Sequence, residues 1–157
     1  MTRRGQGMFV SCRVGQLLLG IEIDRVQEIN RLVDATFVPR AAPEVRGVIN
    51  LRGSLVTVLD LARILDGGQM AGGEAARNVI IDFGDERIGL VVGAVGDVVD
   101  CRDRRIEPLP AHVERQHGRW FRGLVQLETE LMLILDVDAV VAIGDARLAQ
   151  AGKSEVR

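Results

Sequence analysis

The chain has 157 residues, enough for one domain with a real core. Apolar residues make up 47% and charged residues 27%, an ordinary soluble balance, and a net charge of −2 excludes a broad positive field for nucleic acid or an anionic membrane. Aromatic content is only 3%, with no Tyr, which argues against base-stacking platforms.

In chain order, short runs rich in Val, Ile and Leu dominate: "MFVSCRV", "LLLGIEI", "GVINL", "LVTVLDL", "NVIIDF", "RIGLVV", "GDVVDC", "GLVQL" and "LMLILDV". Each is bounded by Gly, Asp or Arg, so all-β barrels or a sandwich are expected rather than βαβ units. "APEVRG" predicts one short helical turn, with Pro near its start and Gly at its end. "LDLARIL" and "DVDAVVAIG" each predict a short helix after a strand. "DGGQMAGGEAAR", residues 66–77, reads as a Gly-rich loop, and residues 144–157 as a polar tail. The basic N-terminus is followed by no long apolar stretch, and no run approaches the ~18–20 apolar residues of a membrane span. Cys12 and Cys101 form no CxxC and no disulfide framework. A soluble, cytoplasmic protein without membrane insertion or nucleic-acid partner is expected.

An internal repeat organises these runs. "VGQLLLGIEIDRVQEI" lies over "FGDERIGLVVGAVGDV" with Gly15 on Gly84 and Gly20 on Gly89, an offset of 69 residues. "RGVINLRGSLVTVLDL" lies over "RGLVQLETELMLILDV" with Gly47 on Gly123 and Asp60 on Asp136, an offset of 76. Two copies of one small β unit packed against each other follow, about 8–65 and 78–143. Gly15 and Gly84 suit tight turns that want positive φ. Gly20 and Gly89 lie inside strands, where Gly marks a bulge or sharp bend. Gly53-Ser54 reads as a hairpin turn.

Arg52 stands beside that turn. Alternation puts Val48, Asn50 and Arg52 on one face, and Ile49 and Leu51 in a barrel core. The second copy has Gln126 and Glu128 instead, so the outward charge reverses and points to a role specific to the first copy. In "RVQEI" alternation joins Val26 to Glu28, opposite Gln27 and Ile29, and makes Glu28 the partner to test for Arg52. On the residues alone this is an ordinary surface pair worth ~0–1 kcal/mol.

With "VGQLLLGIEIDRVQEI", "PEVRGVINLRGSLVTVLDL", "IGLVVGAVGDVV" and "RGLVQLETELMLILDV", the chain resembles the CheW-type chemotaxis coupling proteins from about Met8 to Ile143. The resemblance implies a single 8–143 domain of two interleaved SH3-like β-barrels with a few short helices, and a non-enzymatic adaptor without cofactor or metal. It implies two partners, the cytoplasmic tip of a methyl-accepting chemoreceptor and the regulatory domain of a CheA-type histidine kinase, which together recruit the chain to membrane arrays. The receptor-side positions it implies are Val26, Glu28, Arg52, Val95 and Val98, an apolar groove with a charged rim. "RIEPLPAHV" aligns with a loop that relatives use for kinase-side contacts in extended arrays, with Glu107 and His112 standing at the family's usual basic and aromatic positions. Thr57 and Gly93 depart from the family's usual Pro and Asp. An adaptor of a paralogous pathway for surface motility or development, or a stand-alone module equivalent to the kinase regulatory domain, are the nearest alternatives.

Other signals point to structure. His112 and His117 lie in a loop-like segment without a convincing ligand set. Asp82-Phe83-Gly84 spells "DFG" without the rest of a kinase and reads as a strand end and turn. Asp60 and Asp136 read as helix caps. Both cysteines, Trp120 and Phe121 read as packing residues. The rival from another class is an enzyme using the two aspartates or the histidines, which would need a defined pocket with a perturbed carboxylate.

Overall fold

A computed structural model describes residues 7–66 and 72–143. The polar tail at 144–157 and part of the Gly-rich loop lie outside the described residues. Ten strands run in chain order: β1 (Met8–Val14), β2 (Leu17–Glu22), β3 (Val26–Arg31), β4 (Val45–Leu51), β5 (Ser54–Asp60), β6 (Arg77–Phe83), β7 (Glu86–Val92), β8 (Ala94–Asp100), β9 (Phe121–Gln126) and β10 (Leu131–Leu135). Among the described residues three short α-helices accompany them, α1 (Leu61–Asp66), α2 (Ala111–His117) and α3 (137–143), with a single 3-10 turn at Ile23–Arg25.

The strands form two five-stranded sheets, β8-β1-β2-β10-β9 and β3-β6-β7-β5-β4. Replacing each strand by its counterpart in the other copy turns the first order into the second. Each sheet therefore takes its leading hairpin, β1–β2 or β6–β7, from one copy and its other three strands from the other copy. The repeat is an exchange of hairpins rather than two barrels in series.

Each barrel has a small inner core: Phe9, Val125, Met132 and Ile134 in the first, and Ile49, Val56, Val58, Ile80 and Val91 in the second. Leu51 packs against the second. The outer faces meet in a larger cluster that joins Cys12, Leu19 and Leu133 of one sheet to Leu59, Ile81 and Leu90 of the other. Trp120 and Phe121 belong to this shared core. Burial of apolar area at roughly 25 cal/mol per Å² makes it the main force holding the barrels together.

Gly15 and Gly84 open the two-residue turns β1–β2 and β6–β7 with φ of 58° and 61°. Gly20 and Gly89 correct the expected bulge, because both are in regular register with their neighbours. They are small because of close approach: a Cβ at Gly20 would press on Met132 and Phe9, and one at Gly89 would enter the Asn78 amide. Gly47 and Gly123 lie where a connecting segment crosses the sheet edge. Thr36 exchanges two backbone hydrogen bonds with Val48, at 2.8 and 3.0 Å, and Glu107 does the same with Leu124, at 2.8 and 2.9 Å. A Cβ on either glycine would collide with the carbonyl of Thr36 or Glu107.

Three further expectations change. "APEVRG" forms a turn closed by Val45 N donating to the Ala42 carbonyl at 2.9 Å, and the chain enters β4 directly. The segment holding His112 and His117 is helical as α2, a helix with no buried residue and hence no apolar stripe to announce it. The β4–β5 turn is Arg52-Gly53, one residue earlier than expected, because Leu51 pairs with Ser54.

Candidate functional site

Arg52 has φ of 50° and Gly53 φ of 85°, the two positive values a type I′ hairpin needs. Asn50 supports the turn by accepting the Gly53 N–H on Oδ1 at 2.9 Å. The Arg stands beside Gly because it is the tip of the hairpin. A non-Gly residue held there is mildly strained, by ~1 kcal/mol. The second copy has no such turn. Leu127 N donates to the Glu130 carbonyl at 2.8 Å and closes a four-residue loop around Glu128.

Glu28 lies on β3, at the opposite edge of the sheet from β4. Its Oε2 accepts from Arg52 Nη2, and its Oε1 accepts from Asn30 Nδ2 at 2.7 Å. The contact closes the barrel seam. The Glu28 side chain is 24% exposed and that of Arg52 is 65% exposed, so the carboxylate is the anchored partner and the guanidinium the presented one. The hydrogen bond from Asn30, then that from Arg52, holds the Glu28 carboxyl below its ordinary pKa. Asn30 was not anticipated, although it stands two residues from Glu28, the period that shares a strand face.

Val26 and Glu28 do not share a face. A bulge at Gln27 sets Val26 opposite Ile81 and Glu28 opposite Ile80. Ile81 belongs to the cluster between the barrels and Ile80 to the inner core, so Val26 packs between barrels while Glu28 lies at a barrel mouth. Simple alternation failed because a bulge adds one residue on one strand. On the other sheet, Val95 packs half-buried against the same central cluster as Val26. Val98 is 46% exposed on edge strand β8. The expected site is thus one paired charge on one barrel and an apolar edge on the other.

Glu107 and His112 are not part of that pair. Glu107 is tied by its backbone to Leu124 on β9, and His112 is exposed on α2. The sequence also did not single out Leu55, which is 75% exposed beside the Arg52 turn, or Phe37, 75% exposed after Thr36.

Among the described residues the enzyme rival finds no assembled centre. Asp60 Oδ1 accepts from Ala62 N at 3.1 Å and its Oδ2 from Arg46 at 3.4 Å; Asp136 Oδ1 accepts from Ala139 N at 3.1 Å. Both therefore cap helices. The His117 ring packs edge-on against Phe121, with centroids 6.1 Å apart. Surface depressions of about 390 and 450 Å³ are lined by none of Asp60, Asp136, His112 and His117. Among the described residues no cluster of three or more His, Cys, Asp or Glu is placed to hold a metal, and no helix is long and apolar enough to cross a membrane.

Comparison with known proteins agrees with the geometry. The family model for the CheW-like domain matches residues 8–144. The chain is 32% identical over 133 residues to the chemotaxis protein CheW of Rhizobium meliloti (strain 1021), covering 83% of this chain and 84% of that one. It is 31% identical over 121 residues to the CheW of Bacillus subtilis (strain 168), covering 77% and 78%. The crystal structure of the scaffolding protein TtCheW from Thermoanaerobacter tengcongensis superposes with a TM-score of 0.76 at 26% identity, covering 83% of this chain and 84% of that one.

Proposed function

The chain belongs to the CheW-like family and is a chemotaxis coupling adaptor rather than an enzyme, and we propose that it joins the cytoplasmic tip of a methyl-accepting chemoreceptor to the regulatory domain of a CheA-type histidine kinase. In this reading the protein is cytoplasmic and reaches membrane arrays through its partners. Its work is done by affinity and geometry, through contacts that differ between signalling states.

The observation that carries the receptor assignment is the Glu28–Arg52 pair at the barrel seam. Arg52 offers a planar, always charged donor fork, and Glu28 with Asn30 sets its direction. Val26 and Val95 against the shared core, with exposed Val98, supply apolar contact for a helical hairpin. The kinase side is assigned to the segment of Glu107 and the start of α2 with His112, which lies outside the seam pair.

Arg52→Glu tests the receptor assignment. The turn is exposed, so the fold survives, while the reversed charge repels Glu28 and lowers receptor-tip affinity by roughly tenfold or more, ~1.4 kcal/mol. Unchanged affinity removes Arg52 from the interface.

A further inference from the structure

We propose that Arg87 is a second positioning cation at this barrel mouth, one that keeps Glu28 compensated when a partner carboxylate draws Arg52 away. The inference rests on the receptor-docking reading and adds a residue to that site. Arg52 is mostly in solvent, whereas Glu28 is mostly covered. An acidic partner group that takes the Arg52 fork therefore leaves a half-buried carboxylate short of a counter-ion, next to a second carboxylate. Asn30 still donates to Glu28, and the exchange costs less when another cation remains in range.

The strand register supplies one. Glu28 stands opposite Ile80, and Ile80 opposite Gly89, so all three share a sheet face. Arg87 is two residues before Gly89 on β7 and lies on the same face, directly opposite Asp82. Asp82 in turn accepts from Gln27, the neighbour of Glu28, at 2.5 Å. Arg87 also lines the depression beside Ser54 and Leu55, next to the Arg52-Gly53 turn. With Arg52 in place, the positive field of Arg87 is the weakest of the influences that lower the Glu28 carboxyl, after Asn30 and Arg52. In the other copy the position of Arg87 is Leu18 and that of Arg52 is Glu128, so the two cations occur together in one barrel only.

Two measurements on the full chain test this. Carboxyl-carbon NMR titration of Glu28 is compared in Arg52→Ala and in Arg52→Ala/Arg87→Gln, with circular dichroism confirming both folds. Loss of Arg87 is expected to raise the Glu28 midpoint by about 0.3 pH or more; an unchanged midpoint overturns the proposal whatever the partner does. Binding to a receptor-tip hairpin is then measured with and without Glu28→Gln. Arg87→Gln is expected to weaken binding roughly two- to fivefold in the parent and to have no effect in Glu28→Gln. An effect that persists in Glu28→Gln overturns the positioning role, because Arg87 would then be touching the partner itself. A wild-type chain that binds no receptor hairpin also overturns the docking role, and the titration tells that failure apart from a missing Glu28–Arg87 coupling.

Discussion

Arg52 and Glu28 meet across a seam, although their strands stand at opposite ends of the hydrogen-bonding order of the sheet. The pair is thus a closure of the barrel as well as a display of charge. Arg52 holds a φ of 50°, a conformation that glycine would adopt without strain. The turn alone therefore does not call for Arg, and in the proposed docking it is the side chain that contributes.

Arg52→Gly separates these two roles. Relief of strain is worth ~1 kcal/mol and loss of an exposed pair ~0–1 kcal/mol, so stability stays level or rises slightly. Receptor affinity falls in the same variant. Urea denaturation and receptor-tip titration read the two effects independently.

Gly47 and Gly123 give the opposite pattern. An added Cβ meets a backbone carbonyl in each case, which no rotamer change relieves. Gly47→Ala and Gly123→Ala are each expected to destabilise by ~2–3 kcal/mol. Gly15→Ala, with open space around its Cβ and φ of 58°, loses only ~1 kcal/mol. Denaturation midpoints order the three.

Acid weakens the seam. The Glu28 carboxyl titrates below its ordinary value in the folded chain, so its contribution is present above the unfolded pKa of ~4.3 and is lost as pH falls through the folded one. Asp100, held at about 2 by hydrogen bonds from Arg102, adds a contribution that is lost as pH falls from the ordinary Asp range of ~3.9 toward 2. Glu28→Gln should remove the Glu28 part of the acid slope and leave the Asp100 part. Denaturation across an acid pH series checks this.

Both thiols are buried, and burial pushes Cys12 up to about 12 and raises Cys101 as well. Neither is a nucleophile in the folded chain. A thiol reagent at about pH 8 should label them only at the rate of unfolding. Fast labelling of the native protein contradicts the packing role.

The repeat made much of the fold legible, since strand runs and glycine offsets are local patterns. The hairpin exchange was not visible in them, because pairing between copies leaves no mark on either copy alone. Glu28 and Arg52 were found as partners from their faces and charges. The separation of Val26 from Glu28 was missed because the bulge at Gln27 depends on β6, a strand about fifty residues further on. Helix α2 was missed for lack of an apolar stripe. The turn slipped by one residue because Arg at positive φ runs against the usual Gly, Asn or Asp preference.

The measurement that tests coupling most directly is simultaneous binding. The purified chain is mixed with a CheA-type regulatory domain and a receptor-tip hairpin from the same cell, separately and together. The account predicts that each binds alone and that all three form one complex, since the seam pair belongs to the β3–β4 barrel and Glu107 is bonded to β9 of the other. Competition between the two partners for one site, or failure of either to bind, contradicts it.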